Sequence, residues 1–214
     1  MTTPVGRLFD DWARSGRAEG MEREHTPAAR RAFERLQLPP DGSYLDIGCG
    51  NGYTVRWAAA AAPRGQAVGL DLSAEMIERA RALSTGLPRA RFEAGDFTTM
   101  AIPGAPFDAI FSMEVFYYLD DLPAALRRVR ELLKPGGRFA CVVDYYRENE
   151  ASHGWPADLG VSMTLLDAPG WAHAFRDAGL SQVEQERLRA VPGPGVDPWH
   201  VTEGSLLTLG RREG

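Results

Sequence analysis

A chain of 214 residues, of which 44% are hydrophobic and 25% charged, has the composition of a globular protein and enough length to bury the core of one domain. Its formal net charge of -5 argues against a nucleic-acid partner, because no overall positive field attracts a polyanion. Two cysteines without a metal-ligand pattern predict neither a disulfide framework nor a metal site.

The sequence also predicts a cytoplasmic protein that does not enter a membrane. So few cysteines suit a reducing compartment. Residues 1–10 do not combine a basic segment with an apolar one, as a signal peptide would. The longest strongly apolar run, residues 58–62, is far too short to cross a bilayer. The oligomeric state stays open.

Residues 1–40 are predicted to form a helical cap. Their first apolar residues recur at helical spacing and predict a short amphipathic helix: Val5, Leu8, Phe9 and Trp12. Thr26 and Pro27 have the character of an N-cap and a first helical residue, so a second helix should begin there and end before Pro39. We expect the charged run 15–24 to be flexible and residues 1 to about 24 to form a mobile lid, with a permanently docked helix as the alternative.

Strands and helices alternate along the rest of the chain. Short apolar strands are predicted at 43–47, 66–70, 91–94, 107–111 and 137–143, with helices between most of them. This order is typical of an α/β fold with a doubly wound, mostly parallel, Rossmann-like sheet that carries helices on both faces. The last two strands, 181–188 and 205–209, should pair antiparallel and complete seven strands. Residues 41–214 form this domain, and residues 145–167, which break the alternation, are predicted to be a substrate-cap insertion.

A glycine-rich turn, residues 48–52, follows the first strand at the edge where parallel sheets bind ligands. Its pattern is G-x-G-x-G, and Tyr53 follows where a dinucleotide-binding turn has a third glycine. Asp71 ends the second strand, where a carboxylate can accept hydrogen bonds from both hydroxyls of a ribose. These residues favour a nucleoside ligand without a pyrophosphate, and an NAD(P)-dependent oxidoreductase remains an alternative.

Five motifs in this order resemble those of the class I S-adenosylmethionine (SAM) dependent methyltransferases, especially the small-molecule enzymes similar to the ubiquinone/menaquinone C-methyltransferases. They cover roughly residues 43–143 and comprise 45–52, 69–72, 95–97, 107–112 and 132–139. The resemblance implies SAM as the cofactor, no metal, and methyl transfer to a small-molecule acceptor by in-line displacement.

The resemblance also implies the residues that hold the two polar ends of the cofactor. The backbone of Gly48 and Gly50 would hold the methionine part, with Asp46 near its ammonium. Asp71 would bind the ribose, and Leu72 would pack on the adenine face. Two carboxylates suit a cofactor that carries both an ammonium and a sulfonium.

Four more positions match the family's cofactor site. Asp96 would accept a hydrogen bond from the adenine amino group, and Phe97 would contribute its backbone amide and a ring wall. Ser112 and Met113 would line the region of the sulfonium.

The catalytic residues and the acceptor are not identified by the sequence. Methyl transfer from a sulfonium needs mainly alignment, and a base is needed only if the acceptor must lose a proton. The candidate residues of the substrate pocket are Tyr117, Tyr145, His25 and His153. An aromatic pocket suits either a flat apolar acceptor or a cationic amine, and this choice stays open. A SAM-binding regulatory module without catalysis is a further alternative.

Overall fold

The computed structural model describes residues 4–214. The strands of this part of the chain are β1 (Ser43–Ile47), β2 (Gln66–Asp71), β3 (Ala90–Ala94), β4 (Phe107–Met113), β5 (Leu133–Val143), β6 (Ser181–Leu188) and β7 (Ser205–Arg211). Its helices are α1 (Pro4–Arg14), α2 (Arg17–Arg35), α3 (Tyr53–Ala61), α4 (Ala74–Leu83), α5 (Leu122–Leu132), α6 (Trp155–Leu159), α7 (Ala168–Asp177) and α8 (Pro198–Thr202).

One seven-stranded sheet forms the centre of the molecule, in the order β3-β2-β1-β4-β5-β7-β6. The strands from β3 to β5 pair in parallel, and β7 pairs antiparallel with both β5 and β6. The chain winds outward from β1 to β3 and then returns to place β4 on the other side of β1. The predicted doubly wound sheet is confirmed, and its reversal point puts the expected cleft at the carboxyl ends of β1 and β4.

Helices bury both faces of the sheet. Successive strand residues point to opposite faces, so Tyr44 and Leu45 belong to different halves of the core. Tyr44 lies among the side chains of α2, α3 and α4, including Phe33. Leu45 lies in the half that contains Leu126 of α5 and Trp171 of α7. Burial on both faces accounts for the nearly continuous apolar character of the central strands.

The second helix begins earlier than the sequence predicts. α2 starts at Arg17, so Thr26 and Pro27 lie inside it and do not begin it. The Thr26 hydroxyl donates to the carbonyl oxygen of Glu22 at 2.6 Å, so the side chain is bonded to the preceding turn of the same helix. Gly16, with φ of 77°, makes the turn between α1 and α2. The run expected to be flexible is therefore helical from residue 17 onward.

The motif at residues 132–139 predicts a turn at 134–137 before the fifth strand, whereas β5 includes these residues and is therefore longer than predicted. Leu133 pairs with Phe107, and the register shifts before Arg138 pairs with Ala109. A Cβ atom on Gly137 would lie only 2.9 Å from the Lys134 carbonyl oxygen. The close passage of the backbone at this irregularity therefore requires glycine.

The segment predicted as a cap insertion contains a 3-10 turn, Glu150–Ser152, and the short helix α6. Across residues 4–214, none of the helices combines the length and apolar character that a bilayer crossing requires. In the same residues no group of three or more histidine, cysteine or acidic side chains is placed to hold a metal ion.

Candidate active site

A cavity of about 1210 Å³ opens at the carboxyl ends of the parallel strands. The ends of β1, β2 and β4 line its floor, and α1, the first turns of α2, α6 and α8 form its walls. Small-molecule pockets usually measure about 300–1,000 Å³. The cavity therefore has room for a cofactor and a second molecule beside it.

The glycine-rich turn forms part of the cavity floor. Gly48 and Gly50 have φ of 76° and 52°. A Cβ atom on Gly48 would lie 2.1 Å from a methyl carbon of Val115, whereas one on Gly50 would meet nothing within 4 Å. The amides of Gly48 and Cys49 donate to the Leu70 carbonyl oxygen at 2.8 and 2.9 Å. These two amides are therefore used within the fold and are not free to bind a ligand.

Two carboxylates, the buried Asp46 and the half-buried Asp71, border this turn. Burial raises the pKa of Asp46 to about 7, although the Thr54 hydroxyl donates a hydrogen bond to it. Asp71 accepts hydrogen bonds from the amides of Gly50 and Ser73, both at 2.9 Å. Burial nevertheless raises the pKa of Asp71 to about 6. Both carboxylates are costly as anions in the empty cavity, and a bound cation would favour their ionised forms.

The part of the cavity lined by Leu72, Asp96 and Phe97 suits a nucleobase. Leu72 is a large apolar side chain that is 41% exposed at the cavity, where a flat base can cover it. Phe97 is buried in the opposite wall. Oδ1 of Asp96 accepts from the amide and hydroxyl of Thr98 at 2.8 and 2.6 Å. A carboxylate has about four lone-pair sites, so Asp96 keeps capacity for a ligand.

Every predicted cofactor residue except Ser112 lines the cavity. Ser112 is fully buried, and its hydroxyl donates to the Ile47 carbonyl oxygen at 2.7 Å. That bond ties β4 to β1, so Ser112 supports the site from below while its neighbour Met113 faces the cavity. The remaining groups fit SAM: carboxylates for its cations, an open backbone at Gly50 and an apolar surface for adenine.

The other half of the cavity contains a pair of acidic residues that sequence reasoning did not single out. Glu114 Oε1 accepts from the Asp144 amide at 2.6 Å, and Oε2 accepts from the Tyr117 hydroxyl at 2.8 Å. Burial and the charge of Asp144 raise the pKa of Glu114 well above its usual range. Burial raises the pKa of Asp144 to about 6. Each acid directly follows an apolar strand, and this signal, which pointed to Asp71, would have found both.

The predicted pocket residues separate into two groups. Tyr117 and His25 line the cavity, and burial lowers the pKa of His25 to about 4, so its imidazole is neutral near pH 7. Tyr145 packs behind Tyr117, with ring centroids 5.6 Å apart, and does not line the cavity. His153 is exposed outside the cavity, and its Nε2 lies 3.0 Å from the Arg147 carbonyl oxygen. The placement therefore does not support a direct substrate role for Tyr145 or His153.

Known proteins resemble most of this chain. A family model described as a methyltransferase domain matches residues 45–137. A trans-aconitate 2-methyltransferase of Variovorax paradoxus is 30% identical over 180 residues, which are 84% of this chain and 68% of that protein. Phosphoethanolamine N-methyltransferase 3 of Arabidopsis thaliana is 32% identical over 159 residues, 72% of this chain and 31% of that protein. The chain spans only 31–40% of the length of three curated relatives, which include this Arabidopsis enzyme.

A solved structure gives the same result for the fold. It is a complex between the Haloferax volcanii Trm112 methyltransferase activator and a methyltransferase. The match is 35% identical, covers 96% of this chain and 98% of that chain, and has a TM-score of 0.86. Fold, site and relatives agree, and this chain belongs to the class I SAM-dependent methyltransferases.

Proposed function

We propose that this chain transfers the methyl group of SAM to a small-molecule acceptor bound in the same cavity. The observation that supports this proposal is the division of the cavity along the sheet. Asp71 and Leu72 lie at the end of β2, on one side of β1. Glu114 and Asp144 lie at the ends of β4 and β5, on the other side. Cofactor and acceptor can therefore lie side by side, with the ends of β1 and β4 between them.

The chain's own residues would hold and enclose the reactants. When bound, SAM supplies a methyl group on a positively charged sulfur, which a nucleophile can displace. Asp71 would bind the ribose, and Asp46 beside the glycine-rich turn would attract the ammonium. Helices α1 and α8 cover the cavity and would keep water from the reacting groups. Such a site works by alignment, which agrees with the absence of a conspicuous catalytic motif in the sequence.

The names of the relatives support a small acceptor and leave its class open. Trans-aconitate is a carboxylate and phosphoethanolamine contains an amine. The complex of the Haloferax neighbour makes a protein activator a second candidate partner for this chain, testable by purification from a tagged strain. Cytoplasmic residence belongs to the proposal and is supported by two buried free cysteines.

The direct test is transfer of a deuterated methyl group. Purified protein with methyl-deuterated SAM and a small-metabolite extract should yield a methylated product, identified by its mass. Asp71→Ala should reduce labelling at low SAM by about tenfold or more, since it removes charge-assisted hydrogen bonds to the ribose. Asp41→Ala removes an exposed carboxylate outside the cavity and should label normally. SAM binding without any labelled product would favour the regulatory module instead.

A further inference from the structure

The acceptor half of the cavity carries many negative charges and few positive ones. Its floor contains Glu114 and Asp144, and Glu24, Asp158 and Asp197 lie at its exposed rim. Among the described residues that line the cavity, Arg17 alone carries a permanent positive charge, and its guanidinium lies 4.3 Å from the Trp12 ring centroid. The two lining histidines, His25 and His200, have lowered pKa values because of burial, so they add little positive charge near neutral pH.

Among the described residues, neither Glu114 nor Asp144 forms an ion pair, whereas Asp108 does. Asp108 receives the Lys134 ammonium at 2.7 Å. Asp144 is only 2% exposed, and its Oδ1 has no hydrogen-bond partner within the described chain. The Ser205 hydroxyl helps to stabilise its anion, and the neighbouring Glu114 opposes it. Asp144 lines the cavity, and a charged hydrogen-bond donor would satisfy its buried, unpartnered oxygen.

Aromatic rings line the same cavity as these acids, and the Tyr117 hydroxyl donates to Glu114. Tyr117 and Tyr118 line the cavity with ring centroids 4.5 Å apart. Trp155 and Trp199 line it as well, with centroids 6.3 Å apart. The faces of such rings attract cations, and the attraction is stronger where water is excluded. An anionic acceptor would meet repulsion from the floor, and Arg17 is the one permanent cation among the described lining residues that could offset it.

We propose that the acceptor is an amine, and that its ammonium binds to Glu114 and Asp144 among these aromatic rings. This inference rests on the proposed function and names the substrate class of the same site. A carboxylate that holds the ammonium is also placed to take one of its protons. The nitrogen then keeps a free lone pair, which methylation requires.

The test compares three probes of similar shape in calorimetry. Protein saturated with S-adenosylhomocysteine is titrated with phenethylamine, 2-phenylethanol and phenylacetate, so that only the charge of one end changes. Phenethylamine should bind about tenfold or more tightly than either of the others, as expected for hydrogen bonds to charged groups. Asp144→Asn and Glu114→Gln should each weaken the amine by a similar factor, while Asp41→Asn should not.

The binding of S-adenosylhomocysteine to every variant serves as the check on folding and as a separate readout. If the amine binds no better than phenylacetate, or does not bind at all, the inference is wrong. It is also wrong if the preference for the amine survives both floor substitutions. Failure of the wild-type protein to bind S-adenosylhomocysteine would contradict the proposed function instead.

Discussion

At the scale of single residues, the site is governed by acidic side chains at the carboxyl ends of strands. Asp46 and Asp71 border the cofactor half, and Glu114 and Asp144 border the acceptor half. Burial raises the pKa of all four carboxyls, so each is costly to ionise while the cavity is empty. Positive charge on both ligands would reduce this cost. Ligand binding should therefore stabilise the folded protein.

The raised pKa values predict how the stability of the empty protein depends on pH. A carboxyl whose pKa rises on folding binds more protons in the folded state, so the free energy of unfolding falls as pH increases from the unfolded pKa to the folded one. For Asp46 this window runs from 3.8 to about 7. One such group contributes a slope of at most about 1.4 kcal/mol per pH unit.

Urea unfolding between pH 4 and pH 8 checks this prediction. Asp46→Asn should flatten the fall in stability across the window, because the amide cannot ionise, and Asp41→Asn should leave the pH profile as in the wild type. An Asp46→Asn profile parallel to that of the wild type would show that Asp46 is already ionised in the empty protein.

The positions of residues that directly follow a strand were predictable from the sequence. The direction of side chains within a strand or an irregular segment was less so, because tertiary packing decides it. The glycine-rich turn and Asp71 line the cavity, as expected for residues that follow parallel strands, and their roles toward a ligand stay predictions. Ser112 was assigned to the cofactor, but its side chain points away from the cavity while that of Met113 points into it. Strand alternation makes one of two neighbours face away, and sequence alone does not say which. Tyr145 and His153 lie on a segment whose path depends on tertiary contacts.

At the scale of elements, α1 and the start of α2 form a wall of the cavity that packs through few buried residues. Their contact with α4 is a small cluster whose buried members are Ala13, Ala18 and Met76. The Ser73 hydroxyl donates to Asp10 at 2.5 Å at the same contact. On the cavity side, Phe9 packs edge-on against Tyr118, with centroids 5.8 Å apart. So few buried contacts predict a low free energy of local opening.

We therefore expect α1 to act as a lid that S-adenosylhomocysteine stabilises. Hydrogen exchange should show weak protection of the α1 amides in the empty protein and increased protection when the cofactor product is bound. The amides of α7, which packs on the sheet but does not line the cavity, provide the internal control. Strong and equal protection of α1 in both states would mean that it is a permanently docked helix.

The elements themselves were predicted well where periodicity was strong, and poorly near proline and glycine. The strands and the antiparallel pairing of β6 with β7 are confirmed. The start of α2 was misplaced because Thr26 and Pro27 form a plausible helix start, whereas Pro27 is accommodated inside α2 at the loss of one backbone hydrogen bond. The expected turn at 134–137 belongs to β5, since long-range pairing with β4 decides its conformation.

At the scale of the whole molecule, topology explains why one cavity can serve two ligands. The order in which the chain adds strands reverses between β1 and β4, and the strand ends carry acidic residues on both sides of that point. This architecture was predictable from the alternation of strands and helices. The charge at the rim of the acceptor half was not, because α2, α6 and α8 bring residues from distant parts of the chain to one wall.

The measurement that tests this account most directly is a crystal structure of the protein with S-adenosylhomocysteine. We expect the ribose hydroxyls on Asp71, the adenine between Leu72 and Phe97, and the amino acid part at Gly48 and Gly50. The sulfur should face the half of the cavity that contains Glu114. A nucleoside bound elsewhere, or a sulfur turned away from Glu114, would contradict the division of the cavity into a cofactor half and an acceptor half.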